Sequence, residues 1–246
     1  MAAFRMKIAG KTGEVNTLFE STREYCRRYL TAAEPDFSVT VTREDLVFEQ
    51  KMLDKEADEE GLRRRRFGEP FLERTVIQRG FAEKLFDSRI LLLHGSAVAV
   101  DGAGYLFTAD CGTGKSTHTR LYREVFGDRA VMINDDKPFL HIREDGVWVC
   151  GSPWSGKHGL DTNLTLPLKG ICILERGKEN RIHPIPAEEA LPMLRKQSYC
   201  PLDPGKLQAF GELVEDLAQH TPLWRMACTP VPQAAEVSYR AMSGAG

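Results

Sequence analysis

The sequence predicts an α/β fold with a mixed β-sheet and C-terminal helices, and three observations carry this prediction. Short apolar runs typical of buried strands follow one another between residues 90 and 174. A glycine-rich loop, residues 109–116, separates one of these runs from a segment with helical spacing. Most other helical segments come after Pro186, at the end of the chain. Many strands with few crossover helices indicate a mixed sheet rather than a regular doubly wound one.

The composition narrows the class of protein. The chain has 246 residues, of which 42% are hydrophobic and 28% charged, as in ordinary globular proteins. A net charge of -2 offers no global field for nucleic acid or a membrane surface. No apolar run approaches the ~20 residues of a membrane span, and no secretory signal is visible. The six cysteines show no metal-binding spacing. We therefore expect a cytoplasmic protein that binds neither nucleic acid nor membrane.

Two parts are expected, an N-terminal α+β segment over residues 1–88, packed on or extending the core, and a core domain over residues 89–246. In the first part, a helix is predicted over 17–30, a strand over 38–42 and a second helix over 73–86. The highly charged stretch 44–67 ends in four consecutive arginines, Arg63 to Arg66. We interpret this run as a solvated surface, with a site for phosphate or an acidic partner as the alternative.

The core domain is predicted strand by strand. A turn at Asp101-Gly102 separates the second strand from the third. The predicted strands are 90–94, 97–100, 105–108, 130–133, 139–142, 147–150, 170–174 and 223–227. The predicted helices are 117–126, 187–197, 206–220 and 232–242.

The loop at 109–116 has the order that a nucleotide phosphate site requires, which is strand, glycine loop and helix. Its N–H groups converge on anionic oxygens, and the following helix presents its positive end to them. Lys115 is placed to reach the β- and γ-phosphates and the Ser116 hydroxyl to ligate Mg²⁺. Ala109 stands where the usual pattern has its first glycine. The predicted nucleotide-binding residues are Cys111, Gly112, Thr113, Gly114, Lys115, Ser116 and Thr117.

A second motif follows about twenty residues beyond Lys115, where an apolar strand ends in Asp135 and Asp136. Since only one helix fits between the two strands, we expect them to be close neighbours with both ends facing one phosphate. One carboxylate is needed to hold Mg²⁺, and a second could accept the proton of an attacking hydroxyl. Adjacent acids also occur in turns, which is the alternative.

The order His94-Gly95, Gly112 to Ser116, and Asp135-Asp136 resembles the core of HPr kinase/phosphorylase and the related P-loop of phosphoenolpyruvate carboxykinases, over residues 89–175. The resemblance implies ATP and Mg²⁺ as cofactors and Lys115 as a catalytic residue. By the same resemblance Asp135 is the general base, Asp136 and Ser116 hold the metal, and His94 lies near the acceptor hydroxyl and the γ-phosphate. The alternative for His94 is a structural histidine that closes an apolar strand and bonds the neighbouring loop.

The resemblance implies an ATP-dependent phosphotransferase that acts on a hydroxyl of a peptide, protein or small molecule. The arginine-glycine signature of HPr kinases and the metal-ligating lysine-histidine pair of carboxykinases are absent, so neither HPr nor oxaloacetate is the expected substrate. A catalytically silent nucleotide sensor is the alternative, and pyrophosphate as donor stays open. HPr kinases form hexamers through this core, so a homo-oligomer is one outcome that the resemblance allows.

Two further segments are candidates for substrate contact. The loop Gly151–Gly159 is rich in glycine and small hydroxyls. In it, Lys157 could stabilise charge on the γ-phosphoryl and Trp154 could pack on a base or acceptor, the alternative being a surface turn with Trp154 capping the core. Arg176, after the strand predicted over 170–174, could reach a phosphate or lie in a solvated turn.

Overall fold

The structure is a computed structural model that describes residues 2–59, 61 and 63–244. The chain divides into two compact units, Met1–Leu85 and Phe86–Gly246. Within the described residues, no helix is both long and apolar enough to cross a membrane.

The N-terminal unit is built on a three-stranded sheet in the order β1-β2-β3, in which β1 and β2 are antiparallel and β2 and β3 parallel. Helix α3 lies against this sheet, because glycines permit close approach: a side chain at Gly13 would overlap Phe81, and one at Gly80 would overlap Val39. Its elements are β1 (Ala2–Ile8), β2 (Lys11–Thr17), α1 (Glu20–Tyr25), a 3-10 turn (Arg27–Tyr29), β3 (Phe37–Thr40), α2 (Arg43–Glu59) and α3 (Glu69–Phe86).

The helix predicted over 17–30 is shorter than expected. Thr17 ends β2 instead, where its hydroxyl donates to the carbonyl of Ala2 on the paired strand. The buried Glu73 carboxylate accepts hydrogen bonds from the backbone N–H groups of Leu18 and Phe19, which fixes the entry to α1. The strand predicted over 38–42 and the helix predicted over 73–86 are present as β3 and α3. Residues 63–66 are exposed and outside regular structure, as a solvated surface requires.

The second unit is a mixed nine-stranded sheet with helices on both faces, which agrees with the predicted α/β class. Most strands follow the path β4-β8-β9-β10-β6-β5-β7, and the long strand β10 also pairs with β12, which pairs with β11. The strands are β4 (Ile90–Leu92), β5 (Ser96–Val100), β6 (Ala103–Thr108), β7 (Ala130–Asn134), β8 (Phe139–Arg143), β9 (Gly146–Cys150), β10 (Thr165–Arg176), β11 (Arg181–Pro184) and β12 (Leu223–Cys228). The helices are α4 (Lys115–Phe126), α5 (Ala187–Gln197), α6 (Leu207–Gln219) and α7 (Gln233–Ser243).

The side chains of β5 show how this sheet is buried on both faces. Ala97 and Ala99 belong to a core shared with α5 and α6, whereas Val98 and Val100 belong to a core shared with α4 and α7. A strand buried on both sides is apolar at every position, which is why these strands appear in the sequence as continuous apolar runs. The predicted turn at Asp101-Gly102 has positive φ at both residues, as a two-residue hairpin requires.

One topological expectation is wrong. The strand before the glycine loop, β6, and the strand before the aspartates, β7, are not neighbours, because β5 lies between them and pairs antiparallel with both. Strands β6 and β7 therefore run in the same direction and end at the same edge of the sheet, and β5 begins at that edge with Ser96. Closeness in sequence misled the prediction, because β5, which forms a hairpin with β6, occupies the position beside β6 where β7 was expected.

Candidate functional site

The glycine loop joins β6 to α4 in a conformation that only glycine adopts readily at two positions. Gly112 has a φ of 73° and Gly114 a φ of 124°, and a Cβ at Gly112 would meet nothing within 4 Å. Gly114 is the N-cap of α4 and makes no side-chain cap hydrogen bond, and no acidic residue occupies the first turn. The first-turn N–H groups therefore lack intrahelical partners, which is the arrangement that binds an anion.

Lys115 lies within this loop rather than in solvent. The residue is only 9% exposed, and its Nζ donates to the carbonyl of Ala109 at 3.0 Å. Burial lowers the pKa of this ammonium group. Ala109 is fully buried and does not have a positive φ, so alanine is compatible with the position where the usual pattern has glycine.

The other predicted loop residues vary in exposure. Cys111, Gly112 and Ser116 are exposed, and Thr113, Gly114 and Thr117 are partly buried. Two cations outside the loop contact it: Lys196 of α5 pairs with the Asp110 carboxylate at 2.6 Å, and Arg176 donates to the Gly112 carbonyl at 2.8 Å. Arg176 thus lies at the loop, whereas the sequence offered no sign of Lys196.

The two aspartates at the end of β7 have different surroundings. Asp135 is 7% exposed and its Oδ1 accepts a hydrogen bond of 2.7 Å from the Ser96 hydroxyl. The Asp136 side chain is 31% exposed, and its Oδ1 lies 3.0 Å from Lys137 Nζ and 3.2 Å from His94 Nε2. The pair therefore presents one enclosed carboxylate and one carboxylate open to a ligand.

His94 lies beside Asp136 as an uncharged imidazole at neutral pH. Its pKa is lowered to about 3, chiefly by burial and next by the cations of Lys137 and Lys115, while Asp136 acts in the opposite direction. Lys115 of the glycine loop and Lys137 and Asp136 after β7 all act on the pKa of His94, which lies just before β5. These three segments therefore form one site. Lys137 belongs to this site, although the sequence analysis did not single it out despite its position directly after the aspartates.

Asn134 connects the aspartates to the loop Gly151–Gly159. Its side-chain nitrogen donates to the carbonyl of Ser152 at 2.8 Å, and its oxygen accepts from the N–H groups of Asp136 and Lys137. The start of the loop is therefore buried against the end of β7. Gly156 has a φ of 66°, and a Cβ there would lie 3.2 Å from Asp136 Cβ, so the loop passes directly beside this carboxylate.

The two candidate substrate residues of this loop differ in exposure. Trp154 is only 6% exposed and packs edge-on to Phe139, with ring centroids 6.3 Å apart. Lys157 lies in a short 3-10 turn and is exposed. A contact of either residue with nucleotide or acceptor stays a prediction.

The residues present fit a nucleotide with its divalent cation. Within the described residues, no group of three or more His, Cys, Asp or Glu side chains is placed to hold a metal. Mg²⁺ does not need such a cage, because it is bound through one or two protein oxygens together with substrate phosphates and water. The exposed Ser116 hydroxyl and the open Asp136 carboxylate would supply those protein oxygens.

Comparisons with known proteins give a limited result. No protein-family model matches the chain, and no curated protein sequence matches it significantly. A solved structure, that of the Hpr(Ser) kinase/phosphatase from Coxiella burnetii, is similar to part of the chain. The match covers 52% of this chain and 88% of that chain, with 14% sequence identity and a TM-score of 0.28. A match with this TM-score carries no argument about fold or function, so the function has to be argued from the site.

Proposed function

We propose that this protein is a phosphotransferase that binds ATP with Mg²⁺ and transfers the γ-phosphoryl group to a hydroxyl acceptor. The observation that carries the proposal is the buried Lys115 in an uncapped loop-helix junction, with both carboxylates at the end of β7 on the same edge of the sheet. The phosphates would lie on the N–H groups of the loop, and Lys115 would exchange its contact with the Ala109 carbonyl for a phosphate oxygen.

Each charged group then has a distinct role. The acceptor oxygen forms a bond to the γ-phosphorus while the bond from that phosphorus to the β-phosphate bridging oxygen breaks, and ADP leaves. Asp135 receives the hydroxyl proton, with Ser96 holding one of its oxygens. Ser116 and Asp136 would hold the cation, which would offset the charge on the phosphates. Neutral His94, which lies beside Asp136, would hydrogen-bond the acceptor hydroxyl or a phosphate oxygen.

The surrounding cations support an anionic donor. Lys115, Lys137 and Arg176 all lie at the loop or at the aspartates. In a partly enclosed site such cations stabilise the charge that spreads over the transferred phosphoryl group. The acceptor would approach from the side of Gly156 and Lys157, because that loop passes beside Asp136.

Transfer of label from γ-labelled ATP, with Mg²⁺, to a panel of peptides, proteins and small alcohols tests the proposal. Asp135→Asn should lower the rate by about 10²–10⁴-fold, because the proton acceptor is lost. Asp136→Asn should be partly restored by raised Mg²⁺ or by Mn²⁺, since its role is in metal binding, and Asp135→Asn should not. Near wild-type turnover of Asp135→Asn would contradict the assignment. Nucleotide binding without transfer to any acceptor would instead support the sensor alternative.

A further inference from the structure

Three buried oxygens form a continuous hydrogen-bonded chain between the aspartate pair and the helix that follows the glycine loop. Ser96 Oγ lies 2.7 Å from Asp135 Oδ1 and 2.8 Å from Thr119 Oγ1. Thr119 belongs to α4, four residues after Lys115, so the chain ends on this helix. Ser96 and Thr119 are 0% and 1% exposed, so these contacts are shielded from bulk solvent.

The strand order explains why this chain exists. Because β5 lies between β6 and β7, its first residue lies between the two strand ends that carry the glycine loop and the aspartates. Ser96 is paired with Phe107 of β6, and the next residue, Ala97, with Asn134 of β7. The small hydroxyl at position 96 thus connects the end of β7 to α4.

We propose that Ser96 and Thr119 are positioning residues that hold the Asp135 carboxylate in a fixed position relative to the first turn of α4. The Ser96 hydroxyl donates its one proton to Asp135 and therefore accepts from the Thr119 hydroxyl. The carboxylate is thereby tied to α4, the helix whose first turn carries Lys115 and Ser116. This inference rests on the proposed function for its catalytic consequence and on geometry alone for the coupling.

A double-mutant cycle tests the coupling without any need for activity. Thr119→Val and Asp135→Asn, singly and together, are compared by their urea unfolding midpoints, and the cycle is repeated in a Ser96→Ala background. Thr119 and Asp135 each hydrogen-bond Ser96, so a non-additive shift that disappears without Ser96 is expected. Thr221→Val is the matched control, because the Thr221 hydroxyl is buried without a partner and its loss should be additive with Asp135→Asn.

The catalytic consequence is a change in kcat without a change in KM. It is measured with γ-labelled ATP as donor and with either water or a hydroxyl compound from the panel above as acceptor. Ser96→Ala and Thr119→Val should lower kcat about ten-fold or more with the KM for ATP unchanged, because the proton acceptor is displaced while the phosphate loop is intact. Thr119→Ser should restore kcat. Additive Thr119 and Asp135 substitutions, or an unchanged kcat, would overturn the inference. Coupling in a protein that transfers no phosphoryl group would instead overturn the proposed function and leave the coupled chain standing.

Discussion

At the scale of single residues, the site depends on which groups are charged. His94 and His118 are both uncharged in the fold, with pKa values lowered to about 3 and about 4. For His118 the cause is burial beneath the sheet, where its Nε2 lies 2.9 Å from the Ser238 hydroxyl. A neutral His94 adds no cation to the positive charge of Lys115, Lys137, Arg176 and Lys196 around the loop and the aspartates.

Stability should therefore fall in mild acid. Each histidine stays neutral in the fold but takes up a proton in the unfolded chain below a pKa of about 6.5, so the unfolded state binds more protons. Their contribution is fully present above about pH 6.5 and is lost as the pH falls towards their folded pKa values, by at most ~1.4 kcal/mol per pH unit and group. Urea midpoints near pH 7 and near pH 5 measure this loss. His118→Gln should be less stable near pH 7 and show a smaller pH dependence; an unchanged dependence would contradict the account.

A second residue-scale prediction concerns Arg176. Its guanidinium donates to the Gly112 carbonyl and supports the loop, so Arg176→Gln should weaken the binding of ATP with Mg²⁺ by about three- to ten-fold, which corresponds to ~1 kcal/mol. Arg181→Gln is the control, because Arg181 pairs only with its surface neighbour Glu179. Calorimetric titration of both variants measures the difference, and equal affinities would show that Arg176 has no part in the loop.

At the scale of elements, the position of the aspartates depends on how β9 and the loop after it pack against β7. Gly151 follows β9, and a Cβ at this position would lie 1.9 Å from the carbonyl oxygen of Thr162. This neighbour is backbone and cannot move aside like a flexible side chain. The loop that Asn134 holds beside the aspartates is therefore intolerant of even one added methyl group at its start.

Gly151→Ala should destabilise the protein by ~2–4 kcal/mol through overpacking. Gly211→Ala is the matched control, since Gly211 lies inside α6, has nothing within 4 Å of a built Cβ and has no positive φ. It should be neutral or stabilising by up to ~1 kcal/mol, because alanine favours helix. Thermal or urea unfolding of the two variants measures both effects. Equal stability of the two would mean that the close approach at Gly151 is absent in solution.

The elements also show what the sequence could and could not predict. Strands β5, β6 and β7 were predicted because burial on both faces leaves continuous apolar runs, and α4 was predicted from the glycine loop before it. Strands β1 and β2 were not predicted, because Arg5, Lys7 and Glu14 interrupt their apolar pattern. The insertion of β5 between β6 and β7 depends on long-range pairing, so Ser96 and Thr119 gave no signal of their contact with Asp135.

At the scale of the whole molecule, the described chain is two compact units, and the candidate site is built within the second. The N-terminal unit contributes none of the residues that the proposal uses. It instead offers an exposed stretch with four consecutive arginines between α2 and α3, outside regular structure.

Limited digestion with trypsin should therefore cut first within Arg63–Arg66, because these side chains are exposed and their backbone is not in a helix or strand. The products would be an N-terminal fragment ending in this run and a fragment that holds α3 and the whole second unit. A variant with all four arginines changed to glutamine should lose this early cleavage. Mass spectrometry of the first products identifies the site, and a first cut inside the second unit would contradict the division.

The central claim is that the loop around Lys115 binds the phosphates of a nucleotide. Calorimetric titration of ATP with Mg²⁺ into the wild-type protein and into Lys115→Ala tests it most directly. The account predicts binding by the wild type that is lost in Lys115→Ala while the unfolding midpoint shows that the variant is folded. Equal binding by both proteins, or no binding of ATP, other nucleotides or pyrophosphate by the wild type, would contradict it.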